Sequence, residues 1–147
     1  MSIEENKELI RQYYKDWNEV RGDVNKFVVN GQKYIAPNYV YHSVNGDMSR
    51  EQAEKQGSSF ITALPDMNLS IDDTVAEGDK VVTRYTMQCT HKGTFMGIAA
   101  TGKKVVVKGV LISRIAGGKI LEDWEIIDNL GLMTQLGTIP SPTAPKK

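Results

Sequence analysis

Asp128 is the residue whose type and position best suit acid–base chemistry. Strict alternation along the last predicted strand places five residues on one face: Ile120, Glu122, Trp124, Ile126 and Asp128. A carboxyl group among apolar neighbours loses hydration, which raises its pKa toward the range useful for a general acid or base. A second interpretation has equal support, because Asp is a favoured N-cap and a short helix is predicted from Leu130.

The opposite face of this strand is predicted to be solvated or to form a polar dimer interface. It carries three charges among five residues: Lys119, Leu121, Asp123, Glu125 and Ile127. Asp123 therefore points away from Asp128, and it is not expected to take part in catalysis.

The two histidines, His42 and His91, are further acid–base candidates, because imidazole titrates near neutral pH. His42 ends a short predicted strand. His91 ends an apolar row of another strand, next to a connection that contains three glycines. The alternative for each histidine is a structural role as a hydrogen-bonding residue.

Trp124 and Ile126 are predicted to line a pocket beside Asp128, and other aromatic and basic side chains complete it. Tyr14 and Trp17 lie on one stripe of the first predicted helix, and Phe60 points inward from the third. Tyr85 lies in an apolar strand row, and Arg114 suits an anionic ligand group or an oxyanion. Each has a structural alternative: the aromatic residues as core, and Arg114 as a solvated strand residue in a salt bridge.

Composition and motifs exclude several classes of function. The 18 basic and 18 acidic residues balance, so the positive surplus that binding to nucleic acid needs is missing. The sequence contains no glycine-rich phosphate loop, nucleophile elbow or metal-ligand spacing, and the single Cys89 cannot form an internal disulfide. No apolar run approaches the roughly 18–20 residues of a membrane span. The acidic N-terminus is unlike a signal peptide, so we expect a cytoplasmic protein without a metal site.

Hydrophobic periodicity predicts helices before Pro65 and mainly strands after it. Helices are expected over residues 3–20, 23–35 and 49–64, the third beginning with a capping box of Ser49 and Gln52. A short strand is expected at 39–42. Longer strands are expected at 67–76, 80–91, 104–115 and 120–128. A short helix over 130–136 is expected to end at Gly137.

The order of these elements predicts the fold class. Helices followed by strands indicate an α+β domain in which helices cover one face of a mostly antiparallel sheet. A strongly curved sheet around a long helix makes a cone, whose mouth is a natural pocket for a small molecule. One domain is expected over residues 1–138, with a mobile loop at 92–103 and a disordered tail at 139–147.

Several segments, in order and spacing, resemble the SnoaL-like polyketide cyclases. They read FITALPDM, AEGDKVVTR, THKG, TGK, RIAGGKILEDW and QLG, and together they cover about residues 3–137. The resemblance implies the cone-shaped nuclear transport factor 2-like fold, also described as a cystatin-like α+β barrel. It further implies a homodimer that buries the outer face of the sheet.

The resemblance also implies a chemistry, a cofactor-free intramolecular aldol condensation of a small hydrophobic or aromatic carbonyl compound. The family's acid–base residue is carried over to Asp128, four positions after Trp124. Asp128 would remove a proton α to a carbonyl, polar neighbours would stabilise the enolate, and Asp128 would return the proton to the new alkoxide. His42 and His91 match histidines of the family pattern and are pocket candidates without assigned roles.

The sequence departs from the family pattern at two places. Leu64 replaces the Phe of the family's FPD segment, and Asp123 stands where the family often has His beside Trp124. Fold and family do not determine the reaction. An isomerase, a dehydratase, a hydrolase and a non-catalytic ligand-binding module therefore remain alternatives.

Overall fold

The computed structural model describes residues 2–140, and the predicted tail lies outside this part from residue 141 onward. The described part contains four helices and six strands. They are α1 Ile3–Asn18, α2 Val24–Tyr34, β1 Ile35–Ser43, β2 Gly46–Ser49, α3 Arg50–Ala63, β3 Asn68–Glu77, β4 Lys80–Thr90, β5 Lys104–Ala116, β6 Lys119–Ile127 and α4 Asn129–Leu136. The predicted domain limits stay a prediction.

Local capping signals explain where the helices begin and end. Ser49 and Gln52 form the predicted capping box at the start of α3, and the Asp23 side chain accepts two backbone N–H groups at the start of α2. Gly137 ends α4 with a φ of 84°, as expected for a left-handed cap. Helix α1 ends earlier than predicted, since Glu19 is its C-cap and Gly22 lies in the turn that follows.

The strands form one mixed, unclosed sheet in the order β2-β1-β6-β5-β4-β3. Only β1 and β6 pair in parallel, so the predicted mostly antiparallel α+β architecture is confirmed. Strand β2, an edge strand paired with β1, was not expected from the sequence. Helix α1 covers the inner face of the sheet, where the ring of Tyr14 lies 6.3 Å from that of Tyr85.

A β-bulge in β6 reverses the predicted faces of that strand. Ile120 pairs with Ile115 and Glu122 pairs with Arg114, so Leu121 is an extra residue with no partner on β5. Such a residue shifts the alternation of every later position on its strand. After the bulge, the side chains of Asp123, Glu125 and Ile127 therefore point inward. Those of Glu122, Trp124 and Ile126 point outward.

Burial confirms this new phase. Asp123 is 5% exposed and Ile126 is 69% exposed. The prediction that Asp123 and Glu125 lie on a solvated face is wrong, and so is the prediction that Ile126 lies on the apolar interior face.

Within residues 2–140, none of the helices combines the length and apolar character needed to cross a membrane.

Candidate active site

Asp123 lies at the centre of a polar cluster inside the sheet. The Tyr39 hydroxyl donates a hydrogen bond to Oδ2 of Asp123 at 2.6 Å, and the Ser113 hydroxyl donates to Oδ1 at 2.5 Å. Ser113 is the direct cross-strand partner of Asp123 on β5, and Tyr39 reaches it from the parallel neighbour β1. Three strands therefore hold the orientation of one buried carboxyl group.

Glu125, the next inward residue of β6, is held in a similar way. The Tyr41 hydroxyl donates to Oε1 and the Tyr85 hydroxyl donates to Oε2, both at 2.6 Å. The Tyr85 side chain must cross β5 to reach Glu125, and it crosses at Gly109, where a Cβ would overlap the hydroxyl. Glu125 and Tyr41 are half-buried, so this side of the cluster is open to solvent.

The environment of Asp123 suits proton transfer. Burial raises its pKa from 3.8 to about 6, the hydrogen bonds from Ser113 and Tyr39 oppose this rise, and the charge of Glu125 adds to it. A carboxyl group with a pKa near 6 is populated in both protonation states close to neutral pH, so it can act as a base and then as an acid.

Tyr13 and Tyr14 bring two more hydroxyl groups to the cluster from α1. Burial and the charges of Asp123 and Glu125 raise the pKa of both phenols, so they stay protonated and remain hydrogen-bond donors. Neither hydroxyl is hydrogen-bonded to any residue of the described part. Both are therefore free to donate to a ligand oxygen.

Asp128 lies elsewhere. It is exposed, and its Oδ1 accepts a hydrogen bond of 2.9 Å from the backbone N–H of Gly131, as the N-cap of α4. The prediction that Asp128 lies on an apolar face is wrong, because its side chain is exposed, and its predicted catalytic role stays a prediction. The alternative from the sequence, a helix cap, describes its position.

Four of the predicted site residues lie on the outer face of the sheet: His42, Trp124, Ile126 and Arg114. The His42 ring stacks on Trp124 at 5.1 Å, and its Nε2 lies 2.6 Å from Oε2 of Glu122. Arg114 donates to the other oxygen of Glu122 at 2.9 Å. The hydrogen bonds that the His42 ring donates to Glu122 and Asp47 raise the pKa of His42. This cluster is separated from Asp123 by the sheet itself.

His91 is buried directly after β4, where it holds the end of the 92–103 connection. The backbone N–H of Thr101 donates to its Nδ1 at 3.3 Å, and its backbone N–H donates to the carbonyl of Lys103. Within the described residues its Nε2 has no hydrogen-bond partner. These bonds give His91 a structural position, and its predicted catalytic role stays a prediction.

The predicted aromatic residues lie on the inner side of the molecule. Tyr14 and Tyr85 belong to the Asp123–Glu125 cluster. Trp17 packs against Phe27 at 5.2 Å, and Phe60 packs against Phe95 at 4.9 Å. The structure thus brings Tyr14 and Tyr85 together and leaves Trp17 and Phe60 in the surrounding packing.

Two open surface grooves flank these elements. One, of about 330 Å³, lies between α1 and α2 and includes Asp16 and Lys26. The other, of about 490 Å³, runs beside β1, β2 and the start of α3, and includes Tyr39 and Arg50. Neither contains the predicted pocket residues Trp124 and Ile126. No group of three or more His, Cys, Asp or Glu side chains within residues 2–140 is arranged to hold a metal ion.

Sequence reasoning missed most of the polar cluster. Asp123 was not expected to take part in catalysis, Glu125 was placed on the same face as Asp123, and Tyr39, Tyr41 and Ser113 were not predicted as site residues. The sequence did contain a signal. Asp123 and Glu125 are separated by one residue, as are Tyr39 and Tyr41, so each pair lies on one face of its predicted strand. Two acids on one face of a strand indicate a polar site inside the fold if that face is known to point inward.

These observations define an α+β protein with a curved sheet, an inward acid–tyrosine cluster and a helix across the inner face. A family model places it more closely. The model of the SnoaL-like polyketide cyclases matches residues 7–136, and the chain belongs to this family. The search of curated proteins finds no match.

Solved structures agree with this assignment. AclR from Streptomyces galilaeus, a proposed hydroxylase, is 29% identical, with a TM-score of 0.84 over 95% of this chain and 100% of its own. IdmH from Streptomyces antibioticus, a proposed polyketide cyclase, is 29% identical, with a TM-score of 0.75 over 90% and 98%. A proposed SnoaL-like cyclase from Jannaschia sp. CCS1 is 21% identical, with a TM-score of 0.82 over 95% and 97%, and supports the fold alone.

Proposed function

We propose that this protein is an enzyme that performs cofactor-free acid–base chemistry on a small hydrophobic carbonyl compound, with Asp123 as the proton-transferring residue. The single observation that carries the proposal is the position of Asp123, a buried carboxyl group with a pKa of about 6 and both oxygens held by hydroxyl donors. Membership of a cyclase family supports an intramolecular aldol condensation or a related proton transfer as the reaction.

The proposed sequence of steps needs no redox change. The Asp123 carboxylate takes a proton from the carbon α to a carbonyl, and the hydroxyls of Tyr13 and Tyr14 stabilise the enolate oxygen. The enolate carbon forms a bond to a second carbonyl carbon of the same molecule, whose oxygen becomes an alkoxide. Protonated Asp123 then gives its proton to this alkoxide, and the carboxylate is regenerated.

Proton exchange tests this proposal without knowledge of the natural substrate. We would measure deuterium incorporation at the α-carbon of small aromatic ketones such as 1-tetralone in D₂O by NMR. Asp123→Asn keeps the shape of the side chain and should lower the exchange rate by about 10²- to 10⁴-fold. Asp128→Asn is the matched variant, since Asn is an equally good N-cap and should leave the rate nearly unchanged.

The same pair of variants separates the two candidate acids. Loss of exchange in Asp128→Asn with full activity in Asp123→Asn would favour the residue implied by the family resemblance and reject our proposal. A carbon NMR titration of the Asp123 carboxyl group adds a measurement that needs no substrate. A pKa near that of a free Asp would also reject the proposal.

We further propose that the outer face of the sheet forms a homodimer. Three residues of the strand face for which a polar dimer interface was the alternative, Asp123, Glu125 and Ile127, point inward after the bulge and are unavailable for such contact. The outer face instead presents a cross-strand row of Trp124, Ile112, Val82 and Val75, next to Ile126 and Val110. Exposed apolar residues gathered on one face are typical of protein–protein contact.

The expected cytoplasmic location stays a prediction.

A further inference from the structure

We propose that the acid–tyrosine cluster selects an organic cation, a carbonyl compound that carries a protonated or quaternary amine. This inference concerns the ligand of the proposed active site and rests on that proposed function. It starts from the placement of Asp123 and Glu125, which are adjacent inward residues of β6, with Cα atoms about 7 Å apart by strand geometry.

No positive side chain within residues 2–140 compensates these two carboxyl groups. Their hydrogen-bond donors are four neutral hydroxyls, those of Tyr39, Ser113, Tyr41 and Tyr85. Neither acid forms an ion pair with a described Lys, Arg or His, whereas Asp16 and Glu122, on other faces, both do. Carboxylates removed from water are stable only when a partner compensates them, so the cluster favours a ligand that brings positive charge.

The tyrosine rings supply a second attraction for a cation. The rings of Tyr13 and Tyr14 lie 6.2 Å apart edge to face, and Tyr14 meets Tyr85 in the same manner at 6.3 Å. The faces of such rings are electron-rich and attract ammonium groups, most strongly where water is excluded. The Tyr85 ring therefore lies next to Glu125, and the rings of Tyr14 and Tyr13 follow it from α1.

The Tyr14 hydroxyl is a second, independent observation that supports a ligand next to Asp123 and Glu125. Tyr14 is 4% exposed, and its hydroxyl has no hydrogen-bond partner in the described part of the chain. Its ring lies 6.3 Å from that of Tyr85, whose hydroxyl donates to Glu125, so Tyr14 lies next to the acid–tyrosine cluster. A bound carbonyl oxygen would give the Tyr14 hydroxyl the hydrogen-bond acceptor that the described residues do not provide.

The remaining hydrogen-bond capacity agrees with an ammonium ligand. Each oxygen of Glu125 accepts one tyrosine hydroxyl, which leaves acceptor sites on both oxygens. Glu125 is half-buried on the open side of the cluster, so an entering ammonium N–H or N-methyl group would meet it first. A ligand that carries a carboxylate or phosphate would instead meet two acids and no cation, and it should be rejected.

The test compares choline with 3,3-dimethylbutan-1-ol, its neutral carbon analogue of the same shape. Affinities for the full chain would be measured by NMR titration. We expect choline to bind at least about tenfold more tightly than the neutral analogue. In Glu125→Gln, which removes one charge, this preference should fall to about threefold or less.

Glu122→Gln is the matched control, because Glu122 lies on the same strand and faces the opposite side of the sheet. It should keep the preference for choline. Equal affinities in the wild type, including failure of both compounds to bind, overturn the proposal, and so does a full preference in Glu125→Gln. The wild-type comparison stands even if a variant does not fold.

Failure of this inference is distinguishable from failure of the proposed function. Deuterium exchange of a neutral ketone that depends on Asp123, without any preference for choline, would retain the acid–base function and reject the cationic ligand. A preference for choline without any exchange activity would retain the cationic ligand and reject the acid–base function.

Discussion

Two aspartates five positions apart on the same chain segment have opposite environments. Asp123 is buried and held by two hydroxyl donors, whereas Asp128 is exposed and caps a helix. Their side chains are identical, so the difference in chemistry comes from hydration and from the groups that surround each carboxyl. This difference is the reason why Asp123, and not Asp128, is the acid–base residue of our proposal.

The raised pKa of Asp123 predicts how stability depends on pH. The folded protein holds this proton more tightly than the unfolded chain, since burial raises the pKa from 3.8 to about 6. The stability linked to this proton is present at low pH and is lost as pH rises from about 4 to 6, to a total of about 3 kcal/mol. In Asp123→Asn this loss should disappear.

Urea unfolding of both proteins between pH 4 and pH 7 measures the effect. The free energy of unfolding of the variant should rise relative to the wild type across this range. The comparison cancels groups that titrate in both proteins, such as His42 and Glu122. A constant difference between the two proteins would show that Asp123 has an ordinary pKa.

At the scale of elements, two irregularities build the site. The bulge at Leu121 turns Asp123 and Glu125 inward, and Gly109 leaves room for Tyr85 to cross β5. A bulge near an active site re-aims side chains without changing the fold around them. The regular parts of β5 and β6 alone would place neither acid in contact with its tyrosines.

Gly109→Ala tests the crossing of Tyr85. A Cβ at this position would overlap the Tyr85 hydroxyl and approach the Ile126 carbonyl to 3.1 Å. We expect a loss of stability of about 1–3 kcal/mol, because either the Tyr85 ring or β6 must move. Urea unfolding measures this loss.

A double-mutant cycle identifies which contact is responsible. In a Tyr85→Ala background the hydroxyl and ring are gone, so the cost of Gly109→Ala should shrink by more than about half. An unchanged cost in that background would assign the effect to the Ile126 carbonyl and reject the role of Gly109 as a passage for Tyr85.

At the scale of the whole molecule, one sheet serves two purposes. Its inner face holds the acids and tyrosines under α1, and its outer face carries the His42–Trp124 stack and exposed apolar side chains. The outer face is the surface that we propose for a dimer. Isologous contact of two such faces would leave both inner sites accessible.

Ile126→Asp tests the proposed dimer. The Ile126 side chain is 69% exposed in one chain and would be covered by the second. Light scattering should give twice the chain mass for the wild type and a mass closer to one chain for the variant, because a carboxylate would be buried without a partner. Leu130→Asp is the control, since Leu130 is also 62% exposed but lies on α4. A monomeric wild type, or equal effects of both variants, contradicts this interface.

Local signals predicted most of the elements. The helix caps act through hydrogen bonds to backbone groups within a few residues, so their effect can be predicted from the sequence. Examples are the capping box of Ser49 and Gln52, the N-cap Asp23 and the C-cap Gly137. The change of period after Pro65 likewise predicted the four long strands. Strand β2 escaped because a short edge strand contains too few residues to show alternation.

The candidate site was not predictable to the same degree. The sequence by itself determined the α+β class and the inward aromatic residues Tyr14 and Tyr85, because these depend on hydrophobic period. It also indicated the family, through the resemblance of short segments in order and spacing. Only the tertiary structure decided that Asp123 and Glu125 face the interior. A bulge is defined by which residue on the neighbouring strand has a partner, and that information lies in the contact between β5 and β6 rather than within β6.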